Sequence, residues 1–233
     1  LYAQTMAEKG FITVAFDPSF TGESGGEPRN TASVDINTED FMAAVDFLGT
    51  LPNVDREKIG IIGICGWGGM GLSATAMDHR VKAVAVASMY DMSRSIGKGY
   101  KDAYTAADRQ AVLDLVAKQR WATVDRGGVP VGDYHEHPVI DGKVISGEVH
   151  MLPETLPADA DAVTKQFFDY YRTERGYHQL AINSNGMWND TIQQSFFNFE
   201  LLDHLIEIAP RPVLMLAGSD AHFLYYSQDA YDE

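Results

Sequence analysis

The chain has 233 residues, of which 45% are hydrophobic and 22% are charged, and its formal net charge is −15. This composition is typical of a globular domain that is long enough to bury a full hydrophobic core. The negative charge argues against nucleic acid and anionic membrane surfaces as partners, and no run of about 18 apolar residues is present to cross a bilayer.

Cys65 is the single cysteine, so an intrachain disulfide is excluded and an oxidising compartment is not required. We therefore expect a cytoplasmic protein. Both ends of the chain have the pattern of helices, and the chain starts at a leucine. We expect the natural protein to be truncated here at both ends.

Strands and helices alternate over the first 91 residues. The predicted strands are short β-branched or apolar runs at 11–17, 59–65 and 81–88. A helix is predicted from about Thr38, with an apolar face of Phe41, Ala44, Val45 and Leu48, and a second helix of small residues follows the strand 59–65. This alternation predicts a parallel sheet with helices on both faces.

The alternation stops at Met92, and no buried strand is predicted from there to about residue 197. Two amphipathic helices are predicted inside this region, at 106–121 and 159–171. A helix at 200–209 and a strand at 211–218 then resume the earlier pattern. The chain is therefore divided into a core, residues 1–91 and 198–233, and a cap, residues 92–197.

The stretch "GICGWGGMG" at 63–71 has two interpretations. In the first, Gly66, Gly68 and Gly71 form the G-x-G-x-x-G turn of a dinucleotide-binding protein, with Asp91 twenty residues later to bind a ribose hydroxyl. The glycines would let the backbone approach a pyrophosphate at the helix N-terminus. This interpretation predicts an NAD(P)-binding oxidoreductase.

In the second interpretation Cys65 is a nucleophile on a tight turn from strand to helix. The positive end of the helix dipole favours the thiolate, which is the reactive form of cysteine. The alternative for Cys65 is a small core residue at the end of a strand. An elaborate loop before this strand and a long insertion after the next one favour a hydrolase with a cap.

Several segments carry a resemblance to a known family: "AFDPSFTGESGG", "REKIGIIGICGWGGMGLSATAMDHRVKAVAVASMYDMSR", "RGYH", "NSNGMW", "SFFNFELL" and "APRPVLMLAG". Together they resemble the dienelactone-hydrolase-like branch of the α/β-hydrolase superfamily, whose relatives include polyketide transferases. The resemblance implies an α/β-hydrolase fold with a mostly parallel sheet, a nucleophile after its fifth strand and a helical cap after its sixth. It also implies hydrolysis or transfer of an ester, lactone or thioester acyl group, without a metal or organic cofactor.

The resemblance assigns Cys65 as the nucleophile and the Gly66 N–H as an oxyanion donor. The acid is Asp220, after the last predicted strand, or Asp91, after the preceding one. The catalytic histidine is expected beyond the C-terminus of this chain. Trp67 departs from the family pattern, which prefers a small residue there, and a turn shifted onto Trp67 would be inactive.

The expected substrate pocket is lined by a set of aromatic, histidine and amide residues: Trp67, Tyr90, His178, Asn183, Trp188 and His222, with Tyr90, Asn183 and Trp188 on the cap side. The pair His135 and His137, with His150, has only weak spacing for a metal site, and no metal is expected. The partner would be a small-molecule acyl substrate, and a homodimer is possible. A non-catalytic protein that only binds a ligand in its capped pocket is the second alternative.

Overall fold

The computed structural model describes residues 2–128, 139–140, 143–144, 152–186, 188–189 and 193–233. In the first part of the chain the elements are α1 (Tyr2–Glu8), α2 (Val34–Thr50), β1 (Gly60–Ile64), α3 (Gly66–Met77), β2 (Ala83–Ala87) and α4 (Met92–Lys98). The later elements are α5 (Ala106–Asp125), β3 (Val139–Ile140), β4 (Lys143–Val144), α6 (Ala162–Tyr171), α7 (Ile182–Asn185), α8 (Gln193–Asn198), β5 (Val213–Leu216) and α9 (Leu224–Asp232). None of the helices in the described ranges is both long and apolar enough to cross a membrane.

The main sheet of the described residues has three strands in the order β1-β2-β5. All pairs are parallel, with Gly60 opposite Ala83 and Val84 opposite Val213. The predicted parallel sheet with intervening helices is confirmed. Because parallel strands end at the same edge, the residues that follow β1, β2 and β5 are brought together there.

The residues divide into two compact units. The first comprises Leu1–Phe16, Val34–Ser95 and Phe199–Glu233, and the second comprises Asp17–Ser33 and Ile96–Asn198. The first unit contains the parallel sheet with α1, α2, α3, α9 and the first residues of α4. The second contains α5 to α8 and the short antiparallel ladder of β3 and β4, which the sequence analysis did not predict. The predicted boundaries between core and cap stay a prediction.

The core of the first unit lies around α3, which packs against β1, β2 and α2. Leu72 of α3, Val86 of β2 and Met89 are fully buried. α2 begins at Val34, four residues before the predicted start. Two polar residues of its first turns, Asn37 and Thr38, are buried, and the Thr38 hydroxyl donates to the Val34 carbonyl at 2.6 Å.

The predicted strand at 11–17 is wrong. This segment forms no ladder with β1, β2 or β5, and Phe11, Ile12 and Phe16 are 59%, 45% and 40% exposed. Its side chains contact helices instead: Thr13 donates to the Ala3 carbonyl at 3.0 Å, and the Phe16 ring meets that of Phe41 at 5.6 Å. An apolar β-branched run is therefore not sufficient evidence for a strand here.

The predicted helix at 200–209 is wrong as well. The structure has a single 3₁₀ turn at Leu205–Ile208, whose end residues are buried. The residue that follows, Ala209, precedes Pro210 and has φ −59° and ψ 143°. A proline disfavours helical geometry in the residue before it, so an α-helix cannot continue through this point.

Candidate active site

Cys65 is the one residue between β1 and α3. Its backbone has φ 58° and ψ −132°, a conformation that a residue with a side chain rarely adopts. Its N–H still donates to the Ala87 carbonyl of β2 at 3.0 Å, so the sheet pairing continues up to the turn. The chain thus changes from strand to helix at Cys65. Trp67 lies inside α3, so the turn is not shifted onto the tryptophan.

The glycines around Cys65 are required by the close approach of backbone segments. A Cβ atom on Gly63 would lie 2.7 Å from the Trp67 carbonyl oxygen and 2.8 Å from the Gly68 Cα. The end of β1 and the first turn of α3 are therefore in direct backbone contact. A side chain at position 63 would push them apart and open the turn that carries Cys65.

The N-terminus of α3 lies directly after Cys65. The N–H groups of Gly66 and Trp67 have no acceptor within the helix, because α-helical hydrogen bonds run to the carbonyl four residues earlier. Gly68 N–H donates to the Cys65 carbonyl at 2.9 Å. The helix dipole places partial positive charge here, so this end stabilises a thiolate or an oxyanion beside Cys65. The Cys65 side chain is a partly buried thiol that forms no disulfide.

Asp91 lies at the neighbouring strand end, after β2. Its side chain is buried at 8% exposure, and Oδ1 accepts a hydrogen bond from the Arg94 N–H at 2.9 Å. Asp91 therefore acts as the N-cap of α4 and fixes the start of that helix. The preceding residue, Tyr90, donates its N–H to the Cys65 carbonyl at 3.0 Å, which places Asp91 one residue from a direct contact with the turn.

His222 lies near the end of the segment that leads from β5 into α9, two residues before the helix begins. Its Nε2 is 2.7 Å from the Tyr90 hydroxyl, a hydrogen bond whose donor depends on the tautomer of the imidazole. Phe223 packs against the Tyr90 ring with a centroid distance of 4.4 Å. Cys65, Tyr90, Asp91 and His222 thus lie at one edge of the first unit. Tyr90, which was expected on the cap side of the pocket, belongs to this unit.

Asp220 is exposed, in a turn closed by a hydrogen bond of 3.1 Å from Ala221 N–H to the Gly218 carbonyl. The other predicted pocket residues belong to the second unit. His178 is exposed and accepts from Leu180 N–H at 3.2 Å, while Asn183 in α7 and Trp188 are partly buried. Their role in a pocket stays a prediction. His135, His137 and His150 lie outside the described residues.

The dinucleotide interpretation conflicts with the surroundings of its glycines. A Cβ on Gly68 would lie 2.9 Å from Met89 Cγ, and one on Gly66 would lie 3.0 Å from Met92 Sδ. Methionine side chains therefore cover the two glycines that a pyrophosphate would have to approach. The packing of these glycines therefore argues against the dinucleotide interpretation.

Two residues at the site were not predicted from the sequence. Met92 covers Gly66, as described above, and Arg94 of α4 forms an ion pair of 2.6 Å with Asp229 of α9. The Arg94 guanidinium also lies 5.1 Å from the centre of the Tyr225 ring. Asp229 is 135 residues from Arg94 in the sequence, so no local pattern predicts this ion pair.

Comparison with known proteins identifies relatives along the whole chain. Residues 4–114 match the model of the dienelactone hydrolase family. The chain is 50% identical over 231 residues to the uncharacterized protein PA2218 of Pseudomonas aeruginosa, which covers 99% of this chain and 57% of that protein. It is 30% identical over 237 residues to the uncharacterized protein YcjY of Escherichia coli, covering 99% and 69%. The chain thus spans little more than half the length of PA2218.

Solved structures agree with this assignment. The crystal structure of PA2218 has a TM-score of 0.87 at 48% identity, over 99% of this chain and 66% of that one. The α/β hydrolase GrgF from Penicillium, whose curated name is polyketide transferase, has a TM-score of 0.72 at 20% identity, over 99% and 70%. The latter likeness shows the fold alone, and the expected α/β-hydrolase fold is confirmed. The chain therefore belongs to the dienelactone hydrolase family.

Proposed function

We propose that this protein hydrolyses or transfers the acyl group of an ester, lactone or thioester through nucleophilic attack by Cys65. The observation that carries the proposal is the backbone of Cys65, with φ 58° and ψ −132° between a parallel strand and a helix. A nucleophile in such a strained turn projects away from the sheet and lies at a helix N-terminus. Membership of a hydrolase family and the name of GrgF, a polyketide transferase, support acyl chemistry.

The proposed reaction has two stages. The Cys65 thiolate attacks the carbonyl carbon, and the Gly66 N–H donates to the oxyanion that forms. Collapse of this intermediate expels the alcohol or thiol, which takes up a proton, and leaves an acyl group on Cys65. Water or a second acceptor then attacks the acyl group and restores the thiol.

The acid of the site is proposed to be Asp91 in preference to Asp220. Asp91 is buried and its neighbour Tyr90 binds the Cys65 carbonyl, whereas Asp220 is exposed in a turn. A buried carboxylate that is held by a backbone N–H is fixed in orientation, as an acid that orients a histidine has to be.

The test is a rapid-mixing assay with the full-length protein and p-nitrophenyl acetate, in which p-nitrophenolate is followed by absorbance. The wild type is expected to give a burst of about one equivalent followed by turnover. Cys65→Ala abolishes both. A ligand-binding protein without catalysis gives no burst, and its ligand affinity is unchanged by Cys65→Ala.

Two matched variants distinguish the acids. Asparagine caps helices as well as aspartate, so Asp91→Asn removes the charge and keeps the cap of α4. We expect it to lower the acylation rate by about 100-fold or more without lowering the melting temperature. Asp220→Asn, the exposed control, keeps the wild-type rate. The opposite pattern would assign the acid to Asp220.

A further inference from the structure

Two hydrogen bonds on Tyr90 connect the nucleophile turn to a histidine far away in sequence. The Tyr90 N–H donates to the Cys65 carbonyl at 3.0 Å, and the Tyr90 hydroxyl lies 2.7 Å from His222 Nε2. All three residues are partly buried, so their side chains are accessible from solvent. A single residue therefore fixes the position of the turn through its backbone and the position of an imidazole through its side chain.

The Tyr90 ring is held by its aromatic neighbours. Its centroid lies 4.4 Å from that of Phe223, 5.7 Å from that of Tyr226 and 6.0 Å from that of the His222 ring, which it meets edge-on. Contacts at these distances and angles are typical of favourable aromatic packing. The hydroxyl is consequently presented to His222 by a ring that has little freedom to rotate.

The helices that follow Tyr90 and His222 are joined to each other. Arg94 of α4 pairs with Asp229 of α9 at 2.6 Å and stacks over the Tyr225 ring at 5.1 Å. This connection joins the start of α4 to α9. The helices that follow the two hydrogen-bonding residues are therefore joined, which restricts the movement of Tyr90 relative to His222.

We propose that Tyr90 is a positioning residue of the acyl-transfer site that sets the orientation of the His222 ring. The proposal rests on the proposed function of Cys65. The tyrosine hydroxyl can donate to or accept from Nε2, so the hydrogen bond holds the imidazole in place in either tautomer. His222 contributes to the acylation of Cys65 in this orientation, and the Tyr90 hydroxyl acts only through His222.

The kinetic test uses the full-length protein and acylation of Cys65 by p-nitrophenyl acetate. Tyr90→Phe keeps the ring and the backbone N–H and removes only the hydroxyl. We expect it to slow acylation about tenfold, the effect of one lost hydrogen bond. His222→Gln slows the reaction at least as much. The double variant is expected to be no slower than His222→Gln alone, because the hydroxyl has nothing left to position.

The spectroscopic test measures the imidazole directly. The ¹⁵N chemical shifts of His222, assigned with His222→Gln, are expected to report a hydrogen-bonded Nε2 in the wild type and to shift in Tyr90→Phe. Tyr231→Phe, which removes the hydroxyl of an exposed tyrosine of α9, leaves both the shifts and the acylation rate unchanged. A wild-type Nε2 shift typical of a nitrogen without a hydrogen bond overturns the proposal even if a variant fails to fold.

Two further outcomes overturn the proposal. One is a Tyr90→Phe variant that acylates at the wild-type rate. The other is a double variant whose rate is reduced by the product of the two single effects, which shows independent roles. Failure of the proposed function looks different, since the wild type itself then shows no acylation of Cys65.

Discussion

Gly69→Ala is the substitution that tests the packing of the site most sharply. Gly69 lies in the second turn of α3, beneath the link between β2 and α4. A Cβ atom at this position would lie 2.5 Å from the Tyr90 carbonyl oxygen and 2.8 Å from Leu201 Cδ2. The nearest atom belongs to the backbone, so a change of rotamer cannot relieve the overlap.

The expected cost follows from two opposing terms. Forcing one extra methyl group into a packed site costs about 1–3 kcal/mol. Alanine recovers about 1 kcal/mol relative to glycine inside a helix. The net loss is about 0–2 kcal/mol, which for a chain of this length lowers the melting temperature by up to about 8 °C. Circular dichroism at 222 nm during heating measures it.

Gly49→Ala is the matched control. Gly49 lies near the end of α2, and its nearest neighbour would be Arg56 Nε at 3.6 Å, an ordinary contact. The same substitution is therefore expected to raise stability, by up to about 1 kcal/mol. A Gly69→Ala variant as stable as Gly49→Ala would refute the packing of α3 against the Tyr90 link.

Three other predictions follow from the same geometry. Cys65→Gly is expected to be more stable than Cys65→Ala by about 1 kcal/mol in thermal unfolding, because glycine adopts a φ of 58° without strain, and equal stabilities would contradict the strained turn. NAD⁺ and NADP⁺ are expected to leave the melting temperature unchanged, since Met89 and Met92 cover the glycines, and a rise that saturates with nucleotide would restore the dinucleotide interpretation. The hydrogen bonds from the Arg80 side chain hold the pKa of Asp78 below its ordinary value of 3.8, so this carboxylate stabilises the fold above that pH and ceases to do so as the pH falls through its lowered pKa. The melting temperature of Asp78→Asn should therefore lie below that of the wild type at pH 7 and approach it below pH 3.8, whereas a difference that stays constant down to pH 2 would contradict the ion pair.

The parallel sheet was predictable because its strands carry a strong local signal. The runs at 59–65, 81–88 and 211–218 contain β1, β2 and β5. These strands pair in the parallel order β1-β2-β5, as expected for alternating strands and helices. The position of Cys65 between a strand and a helix followed from the same pattern. Local patterns of this kind need no knowledge of distant contacts.

The errors occur where distant contacts decide the structure. The run at 11–17 has the composition of a strand, but its side chains pack on α1 and α2 and its backbone does not pair. The segment predicted as a helix at 200–209 forms only the 3₁₀ turn at Leu205–Ile208, and Pro210 accounts only for the end of helical geometry at Ala209. In both segments the apolar pattern alone did not decide the local structure.

The candidate site could be predicted only in part. Cys65 follows β1 directly, Gly66 begins α3 and Asp91 lies four residues after β2, so their positions at one edge were predictable from topology. The hydrogen bond between Tyr90 and His222 spans 132 residues and the Arg94–Asp229 ion pair spans 135. Such pairs depend on how α4 packs against α9. No pattern in a single sequence predicts that packing.

The most direct test of the account is to locate the acyl group. The full-length protein is mixed briefly with p-nitrophenyl acetate, quenched in acid and digested, and the peptides are mapped by mass spectrometry beside Cys65→Ala. The account predicts an acetyl group on the peptide that contains Cys65, which forms within the burst, decays during turnover and is absent from the variant. Turnover by a folded protein without that adduct, or undiminished in Cys65→Ala, would contradict the central role of Cys65.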